Sequence, residues 1–451
     1  MTGLGGVYPN YEDCQLDRKD IAENFSSTFR EEIYPINYTS DHGPWAYDIK
    51  ADPKNFIDLT SLTWNGFVKV RDKSNHAADI LTKSSGAVSQ IDCSVVNNFI
   101  HSCLSVVKCQ VNDYQFGEAQ SKTYTYKAYL ENLLSYSKSA KIQSLKYHGF
   151  YPDTAEKFDD NDKAVSGNKN DGFKKRAEMF CGSHYFHFSI KLRTDLANVD
   201  QYLQPGVSLK FELERNTDTF ALMSDCGSDT KFEFHIKDTS IELDKLIPTE
   251  SYFKHFMREI SRENLYYPYD KNTIQTYNFS KDANDLSVFN LFHSDKLPSF
   301  LVFGMVEDEA YNGILTKNPF NFKNFDLGEF HLSVNGMMIP SKPIKLDITN
   351  GDYHKVFCND FLDRLKLKET NNSIGITSKE WLNGNFLWIV DLNVDKCANY
   401  HEHYPQQGTI HLKMQVKTGL PQNARLIVYS STRERFFINS QTKEVKSSAS
   451  L

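Results

Sequence analysis

The densest grouping of metal-type ligands in this 451-residue chain is Cys397 followed by His401-Glu402-His403, with His411 eight residues further on. A thiolate and imidazoles this close could hold a divalent transition metal. Two features argue against it. His401 and His403 share a face only in extended backbone, whereas Tyr404-Pro405 reads as a turn, and His411 lies in an alternating strand. Polar loop histidines without a metal are expected. His101, among Cys93, Cys103 and Cys109, offers a cysteine–histidine nucleophile. Yet Val95, Val96, Phe99, Ile100, Cys103 and Leu104 make a short apolar helix in which cysteine packs as a small hydrophobe. No G-x-S-x-G elbow, GxxxxGK[ST] loop or GxGxxG turn occurs. Pairs such as Glu307 and Glu309 could serve glycosidase-type acid–base work, but among 58 acidic residues a pair says nothing without geometry. The expectation is no catalytic residue, no cofactor and no metal.

The elements around these residues are mostly strands. Strict apolar–polar alternation marks Tyr185–Leu192, Leu209–Leu213, Phe232–Ile236, Phe330–Val334 and Ile410–Val416. A period of two sends alternate side chains to a core and to water. Phe211, Leu213, Phe232 and Phe234 should therefore point inward, and Lys210, Glu212 and Glu233 outward. More continuous β-type runs lie at Gly66–Val70, Val106–Val111, Phe300–Val306, Phe386–Leu392 and Arg425–Tyr429. Asn335-Gly336 between apolar flanks is a type I′ hairpin signal. Helices are few. Tyr126, Tyr129, Leu130, Leu133 and Leu134 form one apolar stripe over about 124–136, and Tyr252, Phe253, Phe256, Met257 and Ile260 repeat that spacing. A weaker helical pattern covers Phe357–Leu365, and Pro152–Lys175 reads as a long surface loop. No βαβ alternation is present, so a doubly wound fold is disfavoured.

Composition supports the same class. Aromatics reach 13%, with 32 Phe and 24 Tyr, residues that favour pleated surfaces. A net charge of −7 argues against a protein that coats nucleic acid, which needs surplus cations to displace phosphate counterions. The N-terminal stretch has no basic start and no apolar core, so no secretory signal is expected, and the longest apolar runs are strand-length. The eight cysteines form no CxxC pair, consistent with a soluble protein made in a reducing compartment. The sequons at Asn24, Asn37, Asn278 and Asn371 read as chance occurrences in an Asn-rich chain.

Several blocks resemble a known family. Val95-Val96-Asn97-Asn98-Phe99-Ile100-His101-Ser102 precedes a strand and the Asn112 turn. Tyr124–Tyr136 is similar to a YPYRAYLE-x-LL-x-Y helix, with Thr125 for the usual Pro and Lys127 for the usual Arg. Gly304-Met305-Val306, Ala310-Tyr311-Asn312-Gly313, Asn318-Pro319-Phe320-Asn321-Phe322, Gly375–Glu380 and Asp391-Leu392 follow in the same order. The blocks resemble double jelly-roll major capsid proteins of Polinton/Maverick elements and adintovirus-like viruses, relatives of the adenovirus hexon. The resemblance spans roughly residues 30–440, and departs in its higher cysteine content and at Ser430–Arg435, which lacks the family's acidic stretch.

The resemblance implies an all-β chain of two tandem eight-stranded jelly rolls with a few short helices in the connections. The expected divisions are an N-terminal arm over 1–26, a first jelly roll over 27–249, a second over 250–440 and a tail over 441–451. It implies no enzyme, but homotrimeric, pseudo-hexagonal capsomers of an icosahedral shell. Neighbouring capsomers and vertex (penton) and minor capsid proteins would be partners, with neither sequence-specific nucleic-acid binding nor a transmembrane segment. The place of action would be the virion capsid, made and assembled inside the host cell. For the contact between subunits, Phe320, Phe322 and Phe325 are the expected suppliers, because three rings in a loop with three Asn and a Pro are too apolar to lie bare in water. The competing expectation is that these rings plug their own sandwich. A rival function from another class is a two-sandwich carbohydrate-binding or carbohydrate-active protein, which would need a carboxylate pair in an aromatic-lined cleft.

Overall fold

Alternating side chains can bury one face of a sheet only if a second sheet covers it. The computed structural model describes residues 24–36, 42–84, 86–117, 120–225, 231–260, 264–292, 296–348, 350–393, 407–439 and 441–447. In it the chain solves this burial problem twice. The first sandwich contains β1 (Phe25–Ile33), β2 (Trp45–Ile49), β3 (Phe56–Asp72), β4 (Leu104–Val111), β5 (Tyr114–Phe116), β6 (Phe186–Lys191), β7 (Leu209–Arg215) and β8 (Phe232–Pro248). Its sheets have the orders β1-β8-β3-β6 and β2-β7-β4-β5. The second contains β9 (Leu265–Phe279), β10 (Asp285–Val288), β11 (Phe300–Glu307), β12 (Leu327–Val334), β13 (Met337–Lys345), β14 (Leu387–Asp391), β15 (Ile410–Val416) and β16 (Ala424–Ile438). Its sheets run β9-β16-β11-β14 and β10-β15-β12-β13. The same interleaved order appears in both halves, and all their pairings are antiparallel. This is the jelly-roll arrangement, present twice.

The helices lie between strands. The long β5–β6 connection carries α1 (Thr123–Ser135), α2 (Lys138–Gln143) and α3 (Asp171–Phe180), while α4 (Glu250–Ile260) links the sandwiches. The β13–β14 connection carries a helical segment over 353–362 and α5 (Ser378–Leu382). The Asn335-Gly336 hairpin forms as its residues predict: both have positive φ, 50° and 80°, and Val334 pairs with Met337.

Phe211, Leu213, Phe232 and Phe234 are all core residues, and Lys210 faces solvent. Glu233 is a correction. It stands directly across from Arg71 on β3, whose guanidinium bonds its carboxylate at 2.7 Å, and it is buried rather than turned to water. Two other expectations also shift. Phe25 already pairs in β1, and Val445–Ser447 adds a short strand beside β16, so sheet extends past both expected edges. The 152–175 stretch is not a bare surface loop: Asp153, Phe158, Asn168 and Asn170 are buried, and Asn170 caps α3 by accepting from the Phe173 amide at 3.3 Å.

Phe234→Asp would place an unpaired charge among packed side chains, at a cost of several kcal/mol. Loss of soluble protein is the expected outcome; wild-type yield and melting temperature would contradict the inward assignment.

Candidate functional site: the seam between the sandwiches

Helix α1 is buried almost all round, unlike a helix with one apolar stripe. One side covers the first sandwich and the other meets the β11–β12 loop of the second. Phe320 lies flat on Tyr129 with centroids 4.0 Å apart and planes 6° apart. Tyr126 stacks on Tyr311 at 5.5 Å and meets Phe320 edge-on, while its hydroxyl donates to the Pro319 carbonyl at 3.0 Å. Lys122 donates to the carbonyls of Tyr311 and Asn312, and the Arg425 guanidinium sits 4.0 Å from the Tyr311 ring centre. Phe322 occupies a notch that exists because Gly304, on the central strand β11, has no Cβ. A side chain there would strike Phe322 and Leu387.

Phe320 and Phe322 are wholly buried, and Phe325 is 8% exposed. The expectation that these rings supply a contact between chains is therefore corrected. Phe320 and Phe322 plug the joint between the two halves of their own chain, because Tyr126 and Tyr129 cover the surface a partner would need, and Phe325 is buried beside them in sequence.

Charged groups reinforce the seam. Lys127 on α1 bonds Asp195, and both are buried. Asn272 of β9 donates its amide to Asp195 at 3.3 Å and its side-chain nitrogen to Glu131 at 3.1 Å. Burial works against the charged form of Lys127, but Asp195 and Glu131 outweigh it and raise its pKa. Burial raises that of Glu131. Nearby, Arg176 pairs with Asp153 at 2.6 Å, with both side chains inaccessible to solvent. Asp153 also accepts from Asn170 at 2.8 Å and from Asn318, in the second sandwich's loop, at 3.0 Å. Breaking such a pair from one side strands the other charge, at about 3–5 kcal/mol.

The other sequence candidates do not assemble a reactive site. Cys397, His401, Glu402 and His403 lie outside the described residues. His411 accepts from the Asn290 amide at 3.3 Å and packs its ring against Phe289. Among the described residues no cluster of three metal-type ligands occurs. Cys103 and Cys109 are buried and their thiols are pushed up, to about 12 for Cys109, the reverse of nucleophile activation. Glu307 and Glu309 both grip Lys317 at 2.6 Å, and Glu307 also bonds Lys323. Burial alone would raise the Glu307 pKa, but those two lysines bring it below the usual value. The pair is a clamp.

His101 has a different role. One ring nitrogen bonds the Tyr124 hydroxyl at 2.9 Å, and the other lies 3.4 Å from His148. Burial, then His148 and Arg193, hold His101 well below its ordinary range; burial and Arg193 bring His148 down to about 3.

Sequence reading missed Asp195, Arg176, Asp153 and Asn318 as a set, because pairs separated by 23 to 165 residues leave no local pattern. The available signal was Lys127 itself, a charge flanked by Tyr126 and Tyr129 on a helix with too many aromatics for a single buried stripe.

Two complete jelly rolls joined along one buried seam define a double jelly-roll protein. No protein-family profile matches the chain. An uncharacterized protein of Caenorhabditis elegans is 23% identical over 353 residues, 77% of each chain. Solved structures match over nearly the full length. A chain of the Sputnik virophage superposes with a TM-score of 0.62 at 12% identity, covering 96% of this chain and 91% of that one. The Faustovirus major capsid protein gives 0.56 at 7% identity, covering 93% and 92%. The mavirus major capsid protein gives 0.52 at 9%, covering 99% and 94%.

Phe320→Ser with Phe322→Ser should yield misfolded, aggregating chains rather than folded monomers, since truncating each buried ring costs about 3–5 kcal/mol. Soluble, folded protein with an intact melting transition would refute the plug. The histidine pair sets a pH dependence. Unfolded imidazoles take protons near pH 6.5, whereas the folded pair resists them to much lower pH. The unfolded state therefore binds more protons in this window, so stability is level above about 6.5 and falls as pH drops from there towards 3. His148→Gln should flatten the decline in melting temperature between pH 6.5 and 4; an unchanged slope would exclude this pair as its source.

Proposed function

We propose that this chain is a major capsid protein, three copies of which form a pseudo-hexagonal capsomer of an icosahedral shell. The observation that carries the reading is the likeness of the chain, over more than nine-tenths of its length, to the major capsid proteins of Faustovirus and mavirus. A chain sharing one sandwich with those proteins would leave half of them unmatched; this one covers more than nine-tenths of each. The seam supports the same reading, because it makes the two rolls one rigid building block. The net charge of −7 suits a protein that meets its neighbours rather than the genome. The sequence blocks resembling Polinton/Maverick and adintovirus-like capsid proteins support that lineage, with the virion as place of action and vertex and minor capsid proteins as partners. The carbohydrate-active reading has no support from the Glu307 and Glu309 pair, which is neutralised by lysines.

Size-exclusion chromatography with light scattering tests the proposal. A stable species near three times 51.9 kDa is expected, associating further into shell fragments at high concentration. A persistent monomer with affinity for glycans would favour the rival.

A further inference from the structure

Among the described residues, two ion pairs have both side chains no more than 10% exposed, Arg176–Asp153 and Lys127–Asp195. Their chemistry differs. A guanidinium keeps its charge, whereas an ammonium that gives up one proton becomes a nucleophile. Lys127 Nζ is in hydrogen-bond contact with Asp195 Oδ1, so the nitrogen and the carboxyl carbon are already neighbours. Such placement makes their condensation an intramolecular step. Burial penalises both charges, and a neutral amide in their place escapes that penalty.

The surroundings hold what a condensation needs. The Asn272 backbone amide donates to the same Oδ1 at 3.3 Å, where negative charge gathers when the carboxyl carbon is attacked. Glu131 stands four residues beyond Lys127, on the same face of α1. Its carboxylate accepts from the Asn272 side chain at 3.1 Å and from the Tyr429 hydroxyl at 3.5 Å. Burial lifts its pKa, which suits a carboxyl that takes and returns protons. Asp195 and Glu131 favour the Lys127 ammonium, so its proton has to leave within the cluster. Asn272 and Tyr429 are buried residues of the second sandwich, and the seam they belong to keeps bulk water from the pair. The Asn272 side-chain oxygen has no hydrogen-bond partner among the described residues, an acceptor left over for an amide N–H.

We propose that Lys127 and Asp195 condense into an isopeptide bond inside the folded chain, with Glu131 carrying the proton. Glu131 takes one proton from the Lys127 ammonium, and the freed electron pair of Nζ forms a bond to Cγ of Asp195. One C–O bond of the tetrahedral carbon then breaks. The departing oxygen collects the proton held by Glu131 and a second from Nζ, and leaves as water. Glu131 ends ionised, as it began, and nothing is oxidised or reduced. The bond ties α1 to the segment after β6, 68 residues further on, and does not depend on the capsomer reading.

Mass spectrometry of the denatured full-length chain tests it. The intact protein should be lighter than its sequence by one water, and a proteolytic digest should contain a branched peptide joining Lys127 to Asp195. Lys127→Arg keeps a cation opposite Asp195 and should recover the full mass. Glu131→Gln should slow the loss of water about 100-fold in freshly refolded protein. Circular dichroism confirms that each variant is folded. Folded wild-type protein of full mass would overturn the proposal. So would a missing water that maps to other residues or persists in Lys127→Arg. An unchanged rate in Glu131→Gln would overturn the part given to Glu131.

Discussion

The contact that joins the two sandwiches holds a desolvated patch of paired charges, and the rest of the seam is built around it. Lys127 and Asp195 are buried together, as are Arg176 and Asp153. Each is stable only because partners from both halves satisfy it: Asn272 and Asn318 come from the second sandwich, the charged pairs from the first. Separating the halves would expose Phe320 and Tyr129 and strip buried ions of their polar partners. Such an interface tolerates little play, since a displaced donor leaves a buried group unsatisfied.

Much of the fold was legible in the sequence, and the reason is local. Period-two alternation at Leu209–Leu213 and Ile410–Val416 reports a half-buried sheet within a few residues, and Asn335-Gly336 specifies its hairpin by backbone sterics alone. Edge strands were harder. Strand β1 reads FSSTFREEI, with no clean alternation, because neither of its faces is buried within the chain. The seam was half legible. Phe320 and Phe322 stood out as too apolar for solvent, but the choice between a partner chain and the other half of the same chain depends on Tyr126 and Tyr129, nearly two hundred residues away. Glu233 failed for a related reason: alternation predicts which face a side chain takes, and only the register with Arg71 shows that this face is covered.

The duplicated topology also clarifies the uneven exposure of the chain. Strands β1 and β9 are equivalent in order, yet β1 buries no residue while β9 buries Tyr267, Tyr269, Asn272 and Ile274. The long β5–β6 and β13–β14 connections differ in the same sense.

The distance between seam partners along the chain has a consequence for synthesis. Tyr126 donates to a carbonyl 193 residues further on. At about 5–20 residues per second, α1 leaves the ribosome roughly 10–40 s before the loop that covers it. For that interval the first sandwich presents Tyr126 and Tyr129 bare, with Asp195 and Glu131 still lacking their Asn272 donors. Nascent chains on neighbouring ribosomes expose the same sticky face at the same stage. Translation speed through the second half of the message therefore sets the length of a window in which the growing chain is open to capture by chaperones or by its own siblings.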